Sequence, residues 1–428
     1  MTSAPAAPEM PDPRMAEPGM ADPGMAALAG EAQAFYASRV ARRAPVLQAW
    51  GSSSDEIMGV ATRSGEEERE EVAAARAWQA ELFEAGLAWV DGPREYGGRG
   101  LTAAHARLVR AIAADYQVPN TSCFMVSHDI VGPTILAHGT AEQKERWLPA
   151  LWRGDVIACQ LFSEPEAGSD LASLRTTAVR DGDHWVVTGQ KIWSSGAHYS
   201  GVGELLARTG PASDRHRAIT AFLVEMDSPG IEVRPLRQIT GSEHFNEVFF
   251  DAVRIPDSAR LGPVNGGWPV ARTTLGGERS LMAEEHNGIM DDPVRRLFAL
   301  ARHSGREANP AIMELLGEAW LRDQVLHVTG DRLEATEGAP PGSVVKLMMT
   351  ANMEYYISLA GRLLGTRMIA DTGEWGTYSW SRLLLGAPAH RIAGGTDEIQ
   401  KNIIAERVLG LPREPHPLPE VPVSDAPV

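Results

Sequence analysis

Three stretches of the chain combine glycine, hydroxyl and aromatic residues in patterns that suit the binding of a planar ligand. They are residues 160–170 (QLFSEPEAGSD), 189–196 (GQKIWSSG) and 391–400 (RIAGGTDEIQ). Small and hydroxyl residues let the backbone approach a ligand and donate hydrogen bonds to it, and Trp193 could cover one face of an aromatic ring. The third stretch opens a helix with Thr396 as its predicted N-cap, and helix N-termini attract anions and carbonyl oxygens. Each stretch alone is more typical of an ordinary turn or cap.

The common catalytic signatures GxGxxG, P-loop, GxSxG and HExxH do not occur in the sequence. The helical regions also lack the Glu-x-x-His pair that a di-iron site in a helix bundle needs. Cys123 and Cys159 are far apart, so we expect neither a disulfide framework nor a zinc site, and we expect a reducing, cytoplasmic location. The twelve histidines show no ligand spacing. We therefore predict no metal site.

Composition excludes further classes of protein. The 428 residues, of which 43% are hydrophobic, are enough for two or three domains, and no run of about 20 apolar residues predicts a membrane span. With 40 basic and 56 acidic residues the net charge is −16, which disfavours nucleic acid as a partner because phosphate contacts need a basic face. Residues 1–30 and 414–428 are rich in proline and are predicted to be disordered tails. The acidic residues and the single Arg14 of the first tail argue against a transit peptide.

Between the tails, three zones of different periodicity predict an α+β fold. The zones are residues 31–155, 156–258 and 259–413. The first is helical, with one helix over 67–89 and a capping box formed by Thr140 and Gln143. The second contains short β-type runs between glycine turns, typical of a compact antiparallel sheet or barrel. The third is helical again, with long segments at 311–334 and 344–371, and this order differs from a Rossmann alternation.

In their order and separation, the three stretches resemble the acyl-CoA dehydrogenase family. The resemblance runs from about residue 32 to 413 and includes 93–98 (PREYGG), 139–144 (GTAEQK) and 403–410 (IIAERVLG). It implies an N-terminal helical domain, a middle antiparallel β-barrel and a C-terminal four-helix domain, over the three zones above. It also implies a homotetramer, or at least a homodimer.

The same resemblance implies that FAD is held non-covalently between the barrel and the C-terminal helices. The residues that match the family's flavin contacts are Gln160, Phe162, Ser163, Trp193 and Ser195. Thr396 and Glu398 match the segment that reaches the flavin of a neighbouring subunit, and Ser169 matches a residue near the CoA arm. Many members also carry an Arg-Lys-x-Phe-Gly motif whose Arg meets the FAD pyrophosphate. Here that region reads DDPVRR at 291–296, where Arg295 or Arg296 could substitute.

For the catalytic base, the resemblance offers two positions. In many members the base directly precedes the Gly-Thr of the C-terminal loop, where this chain has Gly394, which carries no side chain. A smaller subgroup places a Glu before an Arg on the first C-terminal helix, and here Glu278 and Arg279 occupy those positions. We therefore predict Glu278 as the base and Arg279 as a residue of the substrate site. An ordinary surface Glu beside an Arg is the other interpretation of this pair.

The implied reaction is the α,β-dehydrogenation of an acyl-CoA thioester to the trans-2-enoyl-CoA, as in fatty acid β-oxidation. Glu278 would remove the α proton, the β hydrogen would leave as hydride to flavin N5, and electrons would pass to an electron-transferring flavoprotein. One alternative is an acyl-CoA oxidase on the same fold that uses O₂. Another is a non-catalytic subunit of a hetero-oligomeric dehydrogenase, which the presence of Glu278 and Trp193 disfavours. The acyl group stays open, although Gly276, Gly277 and Gly394 reduce side-chain bulk near the expected pocket.

Overall fold

The computed structural model describes residues 23–43, 50–51, 65–284, 293–334 and 341–413. Within these ranges the chain forms helices, then a sheet, then helices again, as the zones predict. No helix in this part of the chain is both long and apolar enough to cross a membrane.

In the described residues before the sheet, the chain forms five α-helices. They are α1 (Pro23–Arg39), α2 (Gly65–Glu84), α3 (Ala103–Ala114), α4 (Gly132–His138) and α5 (Ala141–Arg153). Residues 23–30, which we expected in the N-terminal tail, form the first turns of α1, where Leu28 is buried in the core shared with α2 and α3. The predicted capping box of α5 is confirmed, because Gln143 N donates to Thr140 Oγ1 and Thr140 N donates to Gln143 Oε1.

Helix α2 ends five residues earlier than the sequence pattern predicts, at Glu84 and not at Trp89. The cause is Gly86, which adopts a left-handed conformation with φ +69°. Its N–H donates to Phe83 O at 2.9 Å, and the Leu87 N–H donates to Leu82 O at 2.8 Å. These bonds satisfy the last helix carbonyls and stop the helix, as glycine C-caps commonly do.

The middle of the chain forms one sheet of eight strands. They are β1 (Ala158–Leu161), β2 (Thr177–Asp181), β3 (His184–Ser195), β4 (Val202–Arg208), β5 (Ile219–Glu225), β6 (Ile231–Leu236), β7 (Phe245–Pro256) and β8 (Arg260–Leu261). The order is β6-β7-β3-β2-β4-β5-β8, and β1 also pairs with β4. Most pairs are antiparallel, as predicted, but β1 and β2 each run parallel to β4. The sheet is therefore mixed, with β4 at its centre.

After the sheet, the part of the chain that the structure describes forms six α-helices. They are α6 (Gly267–Glu284), α7 (Pro293–His303), α8 (Pro310–Glu334), α9 (Pro341–Leu364), α10 (Tyr378–His390) and α11 (Asp397–Ile403). Helices α7 to α10 share a core that includes Leu297, Leu316, Leu363 and Trp380. Helix α6 instead contributes Val270 and other residues to a core with β1, β4, β5 and α5. Helix α6 therefore lies where the three parts of the chain meet.

Candidate active site

A buried ion pair holds the turn after β1 against strand β3. Lys191 Nζ on β3 lies 2.8 Å from Glu164 Oε1 and donates to Phe162 O at 3.0 Å. Glu164 also accepts the backbone N–H groups of Arg175 and Thr176, at 2.5 and 2.9 Å. The Glu164 carboxylate and the Phe162 carbonyl therefore both have fixed partners on neighbouring segments. The turn that carries Phe162 and Ser163 is rigid as a result.

Both groups of this pair are charged at neutral pH. Burial lowers the pKa of Lys191 to about 8, with the Glu164 charge opposing the shift. Burial raises the pKa of Glu164, but the charge and hydrogen bond of Lys191 outweigh it, so the carboxyl pKa lies below its usual range. Removing one partner would leave the other charged in a buried place, which is costly.

Trp193 projects from a bulge in strand β3. The register of β3 against β7 shifts between Lys191 and Ser194, and Trp193 has φ +62°, which is rare for a large side chain. Its ring is 57% exposed and meets Phe245 edge to face at 5.7 Å. Bulges and left-handed residues of this kind occur often beside active sites, where they redirect a side chain. The bulge presents the indole to solvent and not to the core.

The structure brings the first two sequence stretches together beside this bulge. Ile192 N donates to Ser163 O at 2.9 Å, so the hydroxyl turn lies next to Trp193. Gln160, Ser163 and Ser195 are half-buried, and Phe162 is buried. The turn after β1 and the bulge of β3, which carry residues expected to contact a flavin, therefore lie side by side.

The predicted base lies on α6, which passes very close to a segment of π-helix. Glu278 is half-buried, and its neighbour Gly277 lies so near the π-helix Val126–Val131 that a Cβ there would be 2.5 Å from Asp129 O. We expected Gly277 to leave room for the acyl group, but this space is filled by the Asp129 carbonyl. Single-turn π-helices are frequent at functional sites. The contact fixes the distance between α6 and the N-terminal helices beside Glu278.

One buried side chain joins α6 to strands β4 and β1 of the sheet. Glu204 on β4 is the register neighbour of Gln160 on β1, and its Oε1 lies 2.7 Å from Thr274 Oγ1 on α6. Thr274 lies one turn before Glu278 on the same helix. Strand β1 is therefore connected to the helix of the predicted base in two steps, first by its pairing with β4 and then by the hydrogen bond between Glu204 and Thr274.

The C-terminal glycine loop is held by charges. Lys346 on α9 is 1% exposed and donates to Arg391 O, Gly395 O and Asp397 Oδ1, at 3.2, 2.9 and 3.0 Å. Arg391 Nε donates to Asp397 Oδ2 at 2.7 Å. Within the loop, Gly394 has φ +66°, a conformation that favours glycine. The loop is therefore locked in a shape that suits a residue without a side chain at 394.

Thr396 caps helix α11, as predicted, because its Oγ1 accepts from Ile399 N at 3.2 Å. The hydrogen bonds of this loop described above run to α9 and α11, within the C-terminal domain. Glu398 is exposed in the first turn of α11, and Ser169 is exposed after the β1 turn. Both are accessible to a ligand or to another chain.

The region that could contact a pyrophosphate is described only in part. Residues 291 and 292 and the Arg279 side chain lie outside the described residues, so the predicted role of Arg279 stays a prediction. Arg295 is exposed on α7. Arg296 is 6% exposed and lies over the Trp375 ring at 5.5 Å. Arg295 is therefore the better placed of the two to reach a ligand.

Sequence reasoning assigned no role to Lys191, Lys346 or Glu204, which hold the site together. Lys191 on β3 and Lys346 on α9 donate to carbonyls of turns that are distant in sequence, so no local pattern marks them. Glu204 is the single charged residue among apolar ones at 202–207 (VGELLA). A charge at an inward-facing position of a buried strand was the signal that could have identified it.

Comparisons with known proteins cover almost all of the described chain. Residues 27–155 match the acyl-CoA dehydrogenase N-terminal domain, 159–253 the middle domain and 265–409 the C-terminal domain. These three matches follow the order of helices, sheet and helices. They assign each part of the candidate site to a domain of one family.

Relatives and solved structures agree with the domain matches. The acyl-CoA dehydrogenase IpdE1 of Mycobacterium tuberculosis is 40% identical over 79% of this chain and 88% of its own length. FadE34 of the same organism is 41% identical over 78% of this chain, which spans only 46% of that longer protein. The ChsE4-ChsE5 complex from Mycobacterium tuberculosis superposes with a TM-score of 0.69 at 27% identity, over 92% of this chain and 99% of the other. A variant of the Tcur3481-Tcur3483 steroid ACAD superposes with a TM-score of 0.71 at 25% identity, over 91% of this chain and 99% of the other. The chain therefore belongs to the acyl-CoA dehydrogenase family of oxidoreductases.

Proposed function

We propose that this chain uses FAD to dehydrogenate an acyl-CoA thioester between its α and β carbons, with Glu278 as the base that removes the α proton. The observation that supports the proposal most directly is the buried link between strand β1 and helix α6. The β1 segment with Gln160 and the helix with Glu278 are joined through Glu204 and Thr274. This link supports a site in which the segment proposed to contact the flavin and the proposed base are held in register with each other.

The residues around the β3 bulge fit a flavin. Trp193 offers an exposed aromatic face, which suits stacking on a ring system. Ser163 and Ser195 offer hydroxyl groups that are half-buried, and the buried Ser194 Oγ has no hydrogen-bond partner among the described residues. Bound FAD supplies the two-electron acceptor for the hydrogen that leaves the β carbon.

The residues of this chain would perform the proton chemistry and the positioning. Glu278 takes the α proton of the thioester, and its half-buried place on a helix limits the directions from which a substrate can meet it. A positioned base of this kind contributes roughly 10²–10⁴-fold to the rate. The close contact between Gly277 and Asp129 O keeps the backbone beside the base from shifting.

Flavin content tests the cofactor part of the proposal. We expect the purified protein to be yellow and to carry about one FAD per chain, and Trp193→Ala to lose FAD more easily on dilution. The loss of an aromatic contact sets an upper limit of roughly 3–5 kcal/mol on this effect. Phe249→Ala, on strand β7, is the control for general damage to the sheet. A folded, colourless protein that cannot be reconstituted with FAD would contradict the proposal.

We further propose a homotetramer, or at least a homodimer. The C-terminal helices expose large apolar side chains, among them Leu321, Val325 and Val328 on α8 at 55, 46 and 67%, and apolar patches of this kind commonly mark interfaces. Ile392, at 64%, lies in the glycine loop itself. Light scattering should show a dimer or a tetramer, and a fully active FAD-loaded monomer would refute this proposal.

The solved ChsE4-ChsE5 complex contains two different chains, and this favours a second candidate arrangement, a hetero-oligomer with a related chain. Expression of this chain alone separates the two. A folded protein with FAD and bleaching by an acyl-CoA supports the homo-oligomer. A protein that binds FAD only with a second chain present supports the hetero-oligomer.

The electron acceptor and the acyl group are the finer parts of the proposal. We propose transfer to an electron-transferring flavoprotein, and stoichiometric peroxide release during turnover would instead indicate the oxidase alternative. The similar steroid ACAD and a cyclohexane-1-carbonyl-CoA dehydrogenase that is 27% identical over 77% of this chain favour a ring-bearing acyl group. A screen of straight, branched and ring-bearing acyl-CoA thioesters by anaerobic flavin bleaching should show the fastest bleaching with a ring-bearing one.

A further inference from the structure

Glu204 lies on the inward face of β4, among apolar side chains from three parts of the fold. Alternate residues of a strand share a face, and its neighbours on that face, Val202 and Leu206, belong to the core shared by the sheet, α5 and α6. Glu204 is 0% exposed. Glutamate is rarely found fully buried without a charged partner, so its presence here needs an explanation.

The described partner of Glu204 is one hydroxyl group, which begins a chain of hydrogen bonds, and the second carboxyl oxygen, Oε2, has no partner among the described residues. Glu204 Oε1 lies 2.7 Å from Thr274 Oγ1, and Thr274 Oγ1 lies 3.1 Å from Thr134 Oγ1 on α4. Thr134 Oγ1 donates to Ile130 O, in the π-helix, at 2.8 Å. The chain thus crosses from the sheet through α6 to the segment that contacts Gly277.

Counting hydrogens shows which form of Glu204 completes this chain. Thr134 uses its hydrogen on Ile130 O, so the Thr134–Thr274 contact needs the hydrogen of Thr274. An ionised Glu204 would take that same hydrogen and leave the two threonine oxygens facing each other without one. Thr274 Oγ1 also lies 3.1 Å from the helix carbonyl of Val270. With Glu204 protonated, Glu204 donates to Thr274, and the hydrogen of Thr274 stays available for Thr134 Oγ1 or Val270 O, whereas the ionised form takes that hydrogen. Burial also raises the pKa of Glu204 to about 8, against the smaller opposing effect of Thr274.

We propose that Glu204 is a positioning residue, a neutral hydrogen-bond donor that fixes helix α6, and with it Glu278, against the sheet and the π-helix. The inference rests on the proposed role of Glu278 as base. A displacement of about 1 Å between a base and its substrate can cost about 10²-fold in rate. The hydroxyl chain acts one turn from Glu278, so a slip of α6 at Thr274 moves the base directly.

The test uses variants that keep or remove the donor. Glu204→Gln retains an N–H donor at nearly the same place, and bleaching at saturating acyl-CoA should stay close to the wild-type rate. Glu204→Leu removes the donor, and bleaching should slow by about 10²-fold with FAD content and acyl-CoA affinity little changed. Thr274→Val cuts the chain at its middle hydroxyl and should slow bleaching similarly, which keeps the test valid if the Leu variant does not fold. Leu206→Ala, on the same face of β4, is the control that lowers the unfolding temperature without cutting the chain.

A readout without substrate accompanies the kinetics. The infrared difference spectrum between wild type and Glu204→Gln at neutral pH should show the carbonyl band of a protonated carboxylic acid, and an ionised Glu204 would overturn the proposal. Bleaching at the wild-type rate in both Glu204→Leu and Thr274→Val would also overturn the positioning role of Glu204. If Glu278→Gln still bleaches slowly in that case, the assignment of Glu278 as base stays intact. Wild-type bleaching in Glu278→Gln would overturn both assignments together.

Discussion

The two positions at which this fold could carry a catalytic carboxylate are held in different ways. The glycine loop before α11 is tied by Lys346, whose ammonium group serves three oxygens of the loop and Asp397. Helix α6 is tied by the uncharged chain from Glu204 through Thr274, and by the backbone contact at Gly277. The difference follows from their backbones. A loop leaves backbone carbonyls unpaired, so it needs a group such as an ammonium that donates several hydrogen bonds. A helix pairs its own carbonyls, so it needs only side-chain contacts to fix its position.

The two backbones favour the proposed base position, 278, over position 394. Gly394 has φ +66° inside a loop whose shape is set by buried charges. A helix position such as 278 accepts any side chain without backbone strain, while the left-handed conformation costs a non-glycine residue about 1–2 kcal/mol. The loop therefore favours glycine at 394, whereas the helix accommodates a carboxylate side chain at 278.

Lys346→Met should have the largest effect, because it removes the ammonium donor shared by Arg391 O, Gly395 O and the buried Asp397 Oδ1. Arg391 then remains as the cation paired with Asp397, so the cost of breaking a buried pair is an upper limit. Loss of one partner from a buried pair typically costs about 3–5 kcal/mol. Urea unfolding should show a clearly lower midpoint, whereas Lys401→Met, at an exposed position on α11, should change it little. Equal midpoints for the two variants would mean that charge does not hold the loop.

Gly277→Ala tests the other side of the comparison. The added methyl would collide with Asp129 O, and overpacking of this kind costs about 1–3 kcal/mol. We expect lower stability together with slower flavin bleaching, because α6 must move beside Glu278. Gly361→Ala on α9, where a Cβ meets open space, should instead raise stability by up to about 1 kcal/mol. Equal changes in stability and in bleaching rate for the two variants would show that the close approach of Gly277 to Asp129 O is unimportant.

Moving the carboxylate tests whether the loop can replace the helix. Gly394→Glu should cost about 1–2 kcal/mol from its left-handed backbone, and combining it with Glu278→Gly should restore little bleaching. Unfolding midpoints and bleaching rates of the single and double variants measure both effects. Strong recovery of bleaching in the double variant would show that the loop accepts a base despite its shape.

The buried Glu204 should also make the free energy of unfolding depend on pH. The change over a single pH unit should be smaller than the effects of the substitutions above. Burial raises its pKa from 4.5 to about 8, so the unfolded chain releases this proton at lower pH than the folded chain does. The stabilising effect of the protonated form is full below pH 4.5 and is lost as pH rises toward 8, by at most about 1.4 kcal/mol per pH unit. Between pH 5 and 8, the free energy of unfolding should therefore fall less steeply in Glu204→Gln than in the wild type. Parallel curves for wild type and variant would show that Glu204 is ionised in the fold.

The sequence predicted the elements that depend on local patterns. The capping box of α5, the cap at Thr396 and the extent of α8 follow from neighbouring residues along the chain and are confirmed. The family resemblance also placed Glu278 on the first helix after the sheet, where the structure has it. These features need no knowledge of distant contacts.

Features that depend on distant contacts were not predictable in the same way. The conformation of Trp193 arises from a register shift against β7, which is invisible in the β3 sequence. The π-helix Val126–Val131 and the tight contact at Gly277 arise from two segments far apart in the chain. Glycine at 277 looked like space for a ligand, because a sequence cannot distinguish an empty volume from one filled by another backbone.

The most direct test of Glu278 as the base is anaerobic flavin bleaching by a good acyl-CoA substrate in Glu278→Gln. The amide is close to isosteric with the carboxylate, so FAD content, acyl-CoA affinity and unfolding midpoint should stay near those of wild type. The bleaching rate should fall by about 10²–10⁴-fold. Bleaching at the wild-type rate in the FAD-loaded variant would contradict the assignment and show that another residue removes the α proton.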